Sequence, residues 1–209
     1  MREAGYNVAQ RSDAKARMVQ AAEQLIRERG HGATAFADVL ERSGASRGSV
    51  YFHFPGGKSQ LVTEAAEAHA RRQVAYIDEI AGLAGSPAEF VTMYLNAARD
   101  GMVASGYSRG CGIAPLIVED DGGAGAAETS RRAFADMTDR LAVHLVAYGM
   151  EPAAARELAE ALLAALEGAL VTARALRSPA PFDSAGAVLA GFAAAGRPGG
   201  GGRQAGAVP

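Results

Sequence analysis

The run from Ser46 to Lys58 combines hydrogen-bond donors with positive charge. Arg47 carries the planar guanidinium that can pair in a bidentate way with guanine or with a phosphate. Tyr51 and His53 add donors that suit phosphate oxygens, as does Lys58. Lys58 also stands at the predicted start of a helix, where backbone N–H groups and the helix dipole favour an anion. The chemistry that this run predicts is binding to a nucleic-acid duplex.

Two short helices must position these residues. We predict one helix from about Phe36 to Ser43, with Thr34 as its N-cap, and a second over Arg47 to Phe52. The segment Gly44-Ala45-Ser46 forms the tight turn between them, and Gly44 gives that turn its backbone freedom. Two helices of this length are typical of a DNA-reading helix-turn-helix, although an ordinary helical hairpin has the same spacing.

The side-chain pattern assigns the two faces of this helix pair. Apolar residues can bury the contact between the helices, and they are Phe36, Val39, Leu40 and Val50. Polar residues of the second helix then point outward, and they are Ser46, Arg47, Ser49 and Tyr51. Gly48 removes a side chain where the backbone must approach DNA. The outward face therefore predicts a recognition helix short enough to enter a major groove.

The rest of the chain reads as helices. Ala and Leu dominate, and Val, Ile and Thr never cluster in an alternating run, which leaves no predicted strand. The predicted helices cover 12–29 (capped by Ser12), 58–81, a segment opened by the capping box at 86–89, 113–118, 128–148, 152–176 and 182–195, with a loop at 119–127. The predicted fold is all-α, with a DNA-binding domain at 1–57, a helical domain at 58–195 that binds a ligand and dimerises, and a disordered tail at 196–209.

Charge and composition limit the function classes. Residues 1–72 hold 11 Lys and Arg against 8 Asp and Glu, whereas residues 73–209 hold 10 against 15. The basic N-terminal part and the acidic C-terminal part predict a polyanionic partner for the N-terminal part alone. An ordinary solvated surface would also have this composition. Cys111 is the only cysteine, and no apolar stretch of spanning length or signal-peptide core is present. We therefore expect a cytoplasmic protein without membrane association.

The segment Ser46-Arg47-Gly48-Ser49-Val50-Tyr51-Phe52-His53-Phe54, followed by Lys58, resembles the signature of TetR-family repressors. The ending Pro55-Gly56-Gly57-Lys58 and the segment Gly110-Cys111-Gly112-Ile113-Ala114 resemble the LmrA/YxaF-like branch, which is associated with drug- or flavonoid-responsive repression. Leu40 stands where the common family pattern has Ala, and Ala45 stands where it has Val. The larger side chain at one position would then compensate for the smaller one at the other, which keeps the core volume similar.

The resemblance implies a homodimer that binds a near-palindromic operator in double-stranded DNA and releases it when a small apolar or aromatic effector binds. It places these residues at DNA-facing positions: Thr34, Ser46, Arg47, Gly48, Ser49, Tyr51, His53 and Lys58. For the effector pocket we predict Tyr94, Met102, Tyr107, Phe134, Met137 and Leu141. In the dimer we expect Ala165, Gly168 and Ala169 to allow close approach between helices of two copies.

Two other function classes remain as alternatives. Gly106-Tyr107-Ser108-Arg109-Gly110 has the G-x-S-x-G pattern of a hydrolase, which requires a strand before the serine and a helix after it. A helical ligand-binding or scaffold protein with a vestigial helix-turn-helix is the third class. Histidines lack the spacing of a metal site, so we predict no metal. We also predict no cofactor and no enzymatic activity.

Overall fold

The structure, a computed structural model, describes the backbone of residues 2–119 and 123–195 and the side chains of 13–119 and 125–195. These residues form helices and no strand, which confirms the all-α fold. The helices are α1 (Arg2–Arg29), α2 (Phe36–Ser43), α3 (Arg47–His53), α4 (Gly57–Leu83), α5 (Pro87–Ala104), α6 (Pro115–Val118), α7 (Gly123–Ala147), α8 (Pro152–Leu176) and α9 (Ala180–Ala195). Of the helices described, none is both long and apolar enough to cross a membrane.

Most predicted bounds agree with the structure to within about two residues, but two helices begin five or more residues earlier than predicted. α1 starts at Arg2, so Ser12 lies inside the helix and does not cap it. α7 starts at Gly123 rather than Glu128, which shortens the predicted loop at 119–127. Ala126 explains the second difference, because it is buried against the N-terminal helices and tertiary packing outweighs weak local propensity. The predicted disordered tail at 196–209 lies outside the described residues.

Two hydrophobic clusters form the interior. The first joins α1, α2, α3 and the start of α4, and it also receives Leu116 of α6 and Ala126 of α7. The second joins the rest of α4 with α5, α7, α8 and α9. α4 contributes Leu61 to the first cluster and Ile77 to the second. A single long helix therefore connects the two packed regions. Its first turns pack with the N-terminal helices, although the predicted boundary lies between residues 57 and 58.

The helix-turn-helix forms because its residues satisfy the local backbone. Gly44 ends α2 in the left-handed conformation, with φ of 66°, and its N–H donates to the carbonyl of Leu40. The prediction that Thr34 caps α2 is wrong, because Ala35 holds the N-cap position and its N–H donates to the carboxylate of Asp38. Ala45 and Leu40 both pack against the first cluster, as a compensating swap of volume requires.

Substituting Gly44 should destabilise the turn through backbone strain alone. A Cβ at Gly44 would meet no atom within 4 Å, so the positive φ is the only obstacle. We expect Gly44→Ala to lower the free energy of unfolding by about 1–2 kcal/mol, measured by urea denaturation.

Gly48→Ala is the matched control, because Gly48 lies within α3 with equally open surroundings and without a positive φ. It should stabilise the protein by up to about 1 kcal/mol, since alanine is the better helix former. Equal unfolding free energies for the two variants would contradict the strain argument.

Candidate DNA-binding surface and internal cavity

The aromatic side chains on the outward face of α3 are unusually exposed. Val50 and Phe54 anchor the helix in the first cluster. Arg47 is nevertheless exposed, Tyr51 is 81% exposed and the neighbouring Phe52 is 64% exposed. Exposed aromatic groups beside a cation are not explained by core packing and are typical of a contact surface. Phe52 is not among the residues that the sequence predicts to face DNA, because an apolar aromatic side chain in a helix normally indicates a buried position.

The remaining predicted DNA-facing residues take different positions. Ser46 and Gly48 are exposed, and the hydroxyl groups of Ser46 and Ser49 share a hydrogen bond of 2.9 Å. The half-buried ring of His53 contacts the ring of Phe52 edge-on, with centroids 4.9 Å apart. These residues continue the surface that Arg47 and Tyr51 define.

Two of the predicted positions are tied to the turn after α1. Lys58, in the first turn of α4, donates from Nζ to the carbonyl of Gly32 at 3.0 Å. Thr34 is 2% exposed, and its hydroxyl donates to the carbonyl of Gly30 at 2.8 Å. The prediction that Thr34 faces DNA does not fit this geometry, because its only side-chain donor is already used inside the protein. Thr34 instead stabilises the turn that sets the angle between α1 and α2.

A cavity of about 230 Å³ lies between α1, α4, α5, α7, α8 and the segment that follows α5. Three of the six predicted pocket residues line it: Tyr94, Met102 and Met137. The other three do not. Tyr107 occupies a turn with positive φ, beneath the guanidinium of Arg177, while Leu141 and Phe134 pack into the second cluster.

Polar side chains from separate helices share this cavity with the apolar ones. They are Arg27, His69, Gln73, Arg109, Cys111 and Glu167. Burial raises the pKa of Cys111 to about 12 and also raises the pKa of Glu167, with which the thiol is hydrogen-bonded. Cys111 is therefore a protonated thiol near neutral pH, which does not favour a redox role.

Tyr94 presents an unsatisfied donor to the cavity. Its ring is 2% exposed, and among the described residues its hydroxyl has no hydrogen-bond partner. Burial raises the pKa of this phenol, so it remains neutral and can donate. A buried polar group without a partner costs about 1–3 kcal/mol, which a bound molecule could recover.

The cavity wall is bonded directly to α1. The Nε of Arg27 donates to the carbonyl of Gly110 at 3.0 Å, and the N–H of Gly110 donates back to the carbonyl of Arg27 at 2.8 Å. Beside this pair, Glu28 contacts Arg109 of the wall at 3.6 Å and Arg42 of α2 at 2.8 Å. Direct contacts at the last turn of α1 therefore join the cavity wall to the helix-turn-helix.

The outer face of α8 and α9 carries apolar residues without a partner among the described residues. Val171, Leu176, Val188 and Phe192 are all exposed. Of the three small residues predicted to allow close approach of a second copy, Gly168 is exposed, but Ala169 is buried within the protein's own core. Ala169 packs between helices of one chain, and its part in a contact between two copies stays a prediction.

The fold and the exposed face of α3 define a helix-turn-helix DNA-binding protein, and comparison with known proteins gives its family. Residues 18–65 match the profile of "Bacterial regulatory proteins, tetR family". Residues 87–188 match "Transcriptional regulator LmrA/YxaF-like, C-terminal domain". The chain therefore belongs to the TetR family of transcriptional regulators, in its LmrA/YxaF-like branch.

Individual relatives agree with this assignment. An uncharacterised HTH-type transcriptional regulator of Mycobacterium tuberculosis is 38% identical over 173 residues, covering 80% of this chain and 87% of that protein. The HTH-type transcriptional regulator LmrA of Bacillus subtilis is 42% identical over 53 residues, which cover 25% of this chain and 28% of LmrA. The crystal structure of a TetR-family regulator from Agrobacterium tumefaciens superposes with a TM-score of 0.75 at 25% identity, covering 87% of this chain and 97% of that one.

Proposed function

We propose that this regulator is a repressor that binds a near-palindromic operator as a homodimer and releases it when a small molecule occupies the cavity. The observation that carries the proposal is the exposed surface of α3, where Arg47 and Tyr51 extend from a helix anchored by Val50 and Phe54. Such a helix can place a guanidinium against base edges while neighbouring donors contact phosphates.

The dimer follows from the geometry that a palindromic operator requires. Two copies must place their recognition helices about 34–36 Å apart to reach successive major grooves on one side of the duplex. The exposed apolar face of α8 and α9 suits a four-helix contact with a second copy, because it would bury side chains that otherwise remain in water. The cytoplasm is the compartment that this function requires.

Release follows if the effector prefers a conformation that does not fit the operator. The hydrogen bonds between Arg27 and Gly110, and the contacts of Glu28 with Arg109 and Arg42, join the cavity to the helix-turn-helix. Coupling between two such sites is typically about 1–3 kcal/mol, which corresponds to roughly a 5- to 150-fold change in affinity for DNA.

The test is fluorescence anisotropy with DNA that flanks the protein's own gene, repeated over a range of salt concentration. We expect one fragment to bind far more tightly than scrambled DNA, with an affinity that falls steeply as salt rises because phosphate contacts release counterions. Equal affinity for all fragments, or no binding, would favour the scaffold function instead. A panel of apolar and aromatic compounds added to the complex then tests release.

The hydrolase alternative has little support in the local geometry. Ser108 follows a helix instead of a strand, and its hydroxyl donates to the carbonyl of Ser105 at 2.7 Å. A nucleophilic serine requires a neighbouring base and a strained turn between strand and helix. We expect Ser108→Ala to retain operator binding, and an assay for ester turnover to show no difference from the wild-type protein.

A further inference from the structure

Arg27 brings a positive charge to the wall of the cavity. Its side chain is half-buried, and its Nε donates to the carbonyl of Gly110. Across the part of the chain whose side chains are described, no acidic side chain forms an ion pair with Arg27. Burial and repulsion by Arg109 lower the pKa of this guanidinium, and the neighbouring Glu28 offsets only part of that effect. A buried charge of this kind is costly unless a ligand or an ion pairs with it.

The other charged groups of the wall are largely committed to protein partners. Arg109 is paired with Glu28 at 3.6 Å. The Nδ1 of His69 is hydrogen-bonded to Glu23 at 2.8 Å, and burial lowers the pKa of His69, so this imidazole is neutral and donates. The carboxylate of Glu23 also pairs with Arg72. These pairs leave Arg27 as the cation of the wall that has no acidic partner among the described residues.

Glu167 is the acidic group that lines the cavity, and burial acts against its charge. Its pKa is raised by desolvation, and its hydrogen bond with the Cys111 thiol only partly offsets that effect. Glu167 and Arg27 both line the cavity, but among the described residues they form no ion pair. The charge of Arg27 is therefore not neutralised at close range, and the cavity favours an anion over a cation.

The apolar part of the cavity wall determines which uncharged part of a ligand fits. Met102, Met137, Leu163 and Leu166 provide an apolar surface, and the hydroxyl of Tyr94 offers one neutral donor. The cavity of about 230 Å³ has room for the volume of roughly eight waters at about 30 Å³ each. A compact molecule with one or two rings fits this space, and a long chain does not.

We propose that the effector is a small organic acid, with an aromatic or alicyclic body among the methionines and leucines and an acidic group that pairs with Arg27. The hydroxyl of Tyr94 donates to an oxygen of the same ligand. This assignment rests on the proposed function of the cavity as the effector site, and it adds the charge class of the effector.

The experiment compares three probes of nearly equal shape: 2-naphthoate, neutral 2-naphthamide and cationic 2-naphthylmethylamine. Calorimetric titration of the full-length protein should show 2-naphthoate binding about tenfold or more tightly than either other probe, because hydrogen bonds to charged groups are the stronger ones. Arg27→Met should remove this preference and leave binding of 2-naphthamide nearly unchanged. Arg27→Lys should retain the preference, which shows that charge and not shape is responsible.

Further variants separate the roles of the neighbouring groups. Tyr94→Phe should weaken binding of 2-naphthoate by roughly threefold to tenfold, and Glu167→Gln should leave it equal or stronger. Arg71→Met is the matched control, since Arg71 is exposed on α4, is absent from this cavity, and its loss changes the net charge equally. Its affinity for the three probes should equal that of the wild-type protein.

Each outcome bears on the proposal. Tighter binding of 2-naphthamide or of the amine than of 2-naphthoate, equal binding of all three, or no binding of 2-naphthoate would overturn the acid assignment. If a neutral probe releases the operator and 2-naphthoate does not, the acid assignment falls while the proposed function stands. If 2-naphthoate binds through Arg27 but the protein binds no DNA, the proposed function fails while the charge preference of the cavity stands.

Discussion

Replacing Arg47 and Tyr51 together by alanine is expected to lower operator affinity by about 100-fold or more. A bidentate contact from arginine to a base contributes about 1–3 kcal/mol of discrimination, and a hydrogen bond to a charged phosphate contributes about 1.5–3 kcal/mol. Both side chains extend from α3 into solvent and are not part of the core, so their removal should not unfold the protein. Anisotropy with the operator measures the loss, and thermal unfolding verifies the fold.

The two single substitutions should have different kinds of effect on DNA binding. Arg47→Ala should relax the preference for one base pair, whereas Tyr51→Ala should weaken binding to all operator sequences alike if its hydroxyl contacts phosphate. Arg131→Ala is the control, because it removes an equally exposed cation from α7, far along the chain from α3. Wild-type affinity in the double variant of α3, with an intact fold, would show that this surface does not bind DNA.

The helix-turn-helix could be predicted from the sequence because local rules determine it. Gly44 must adopt a left-handed conformation and Val50 must face inward. The charge of Arg47 and the hydroxyl of Tyr51 then favour the exposed positions that the structure gives these residues. Thr34 shows where the local rules end. A threonine before a helix suggests a cap, but the hydroxyl bonds back to Gly30, because the turn after α1 has its own unsatisfied carbonyl.

The cavity could be predicted only in part, for a physical reason. Periodicity indicates which residues face the interior, but not which interior residues border empty space. Tyr94 and Leu141 both face inward, yet Tyr94 borders the cavity and Leu141 is surrounded by side chains. Arg27 and Glu167 come from helices far apart in sequence, so their approach to one cavity depends on the packing of α1 and α8 across the whole fold.

Introducing arginine at both Val188 and Phe192 is expected to convert the protein to a monomer and to weaken operator binding by about 100-fold or more. The two residues lie one turn apart on α9 and are 71% and 48% exposed, so the substitutions fit the single chain without disturbing its core. In a twofold-symmetric contact both copies carry the two substitutions, so four added positive charges would lie in one interface and repel each other. Analytical ultracentrifugation measures the mass, and anisotropy measures the affinity.

The loss of affinity follows from the two half-sites. Once one half of a dimer is bound, the second half binds as if at high local concentration, and this linkage typically raises affinity by about 10² to 10⁴-fold. Val143→Arg with Val146→Arg is the matched control, since both valines are also exposed, on α7. If the α9 variant remains a dimer and the α7 variant is a monomer, the dimer interface lies on α7 and not on α9. A monomer that binds the whole operator with wild-type affinity would contradict the twofold model, because a single α3 would then make all of the contacts that recognise the operator.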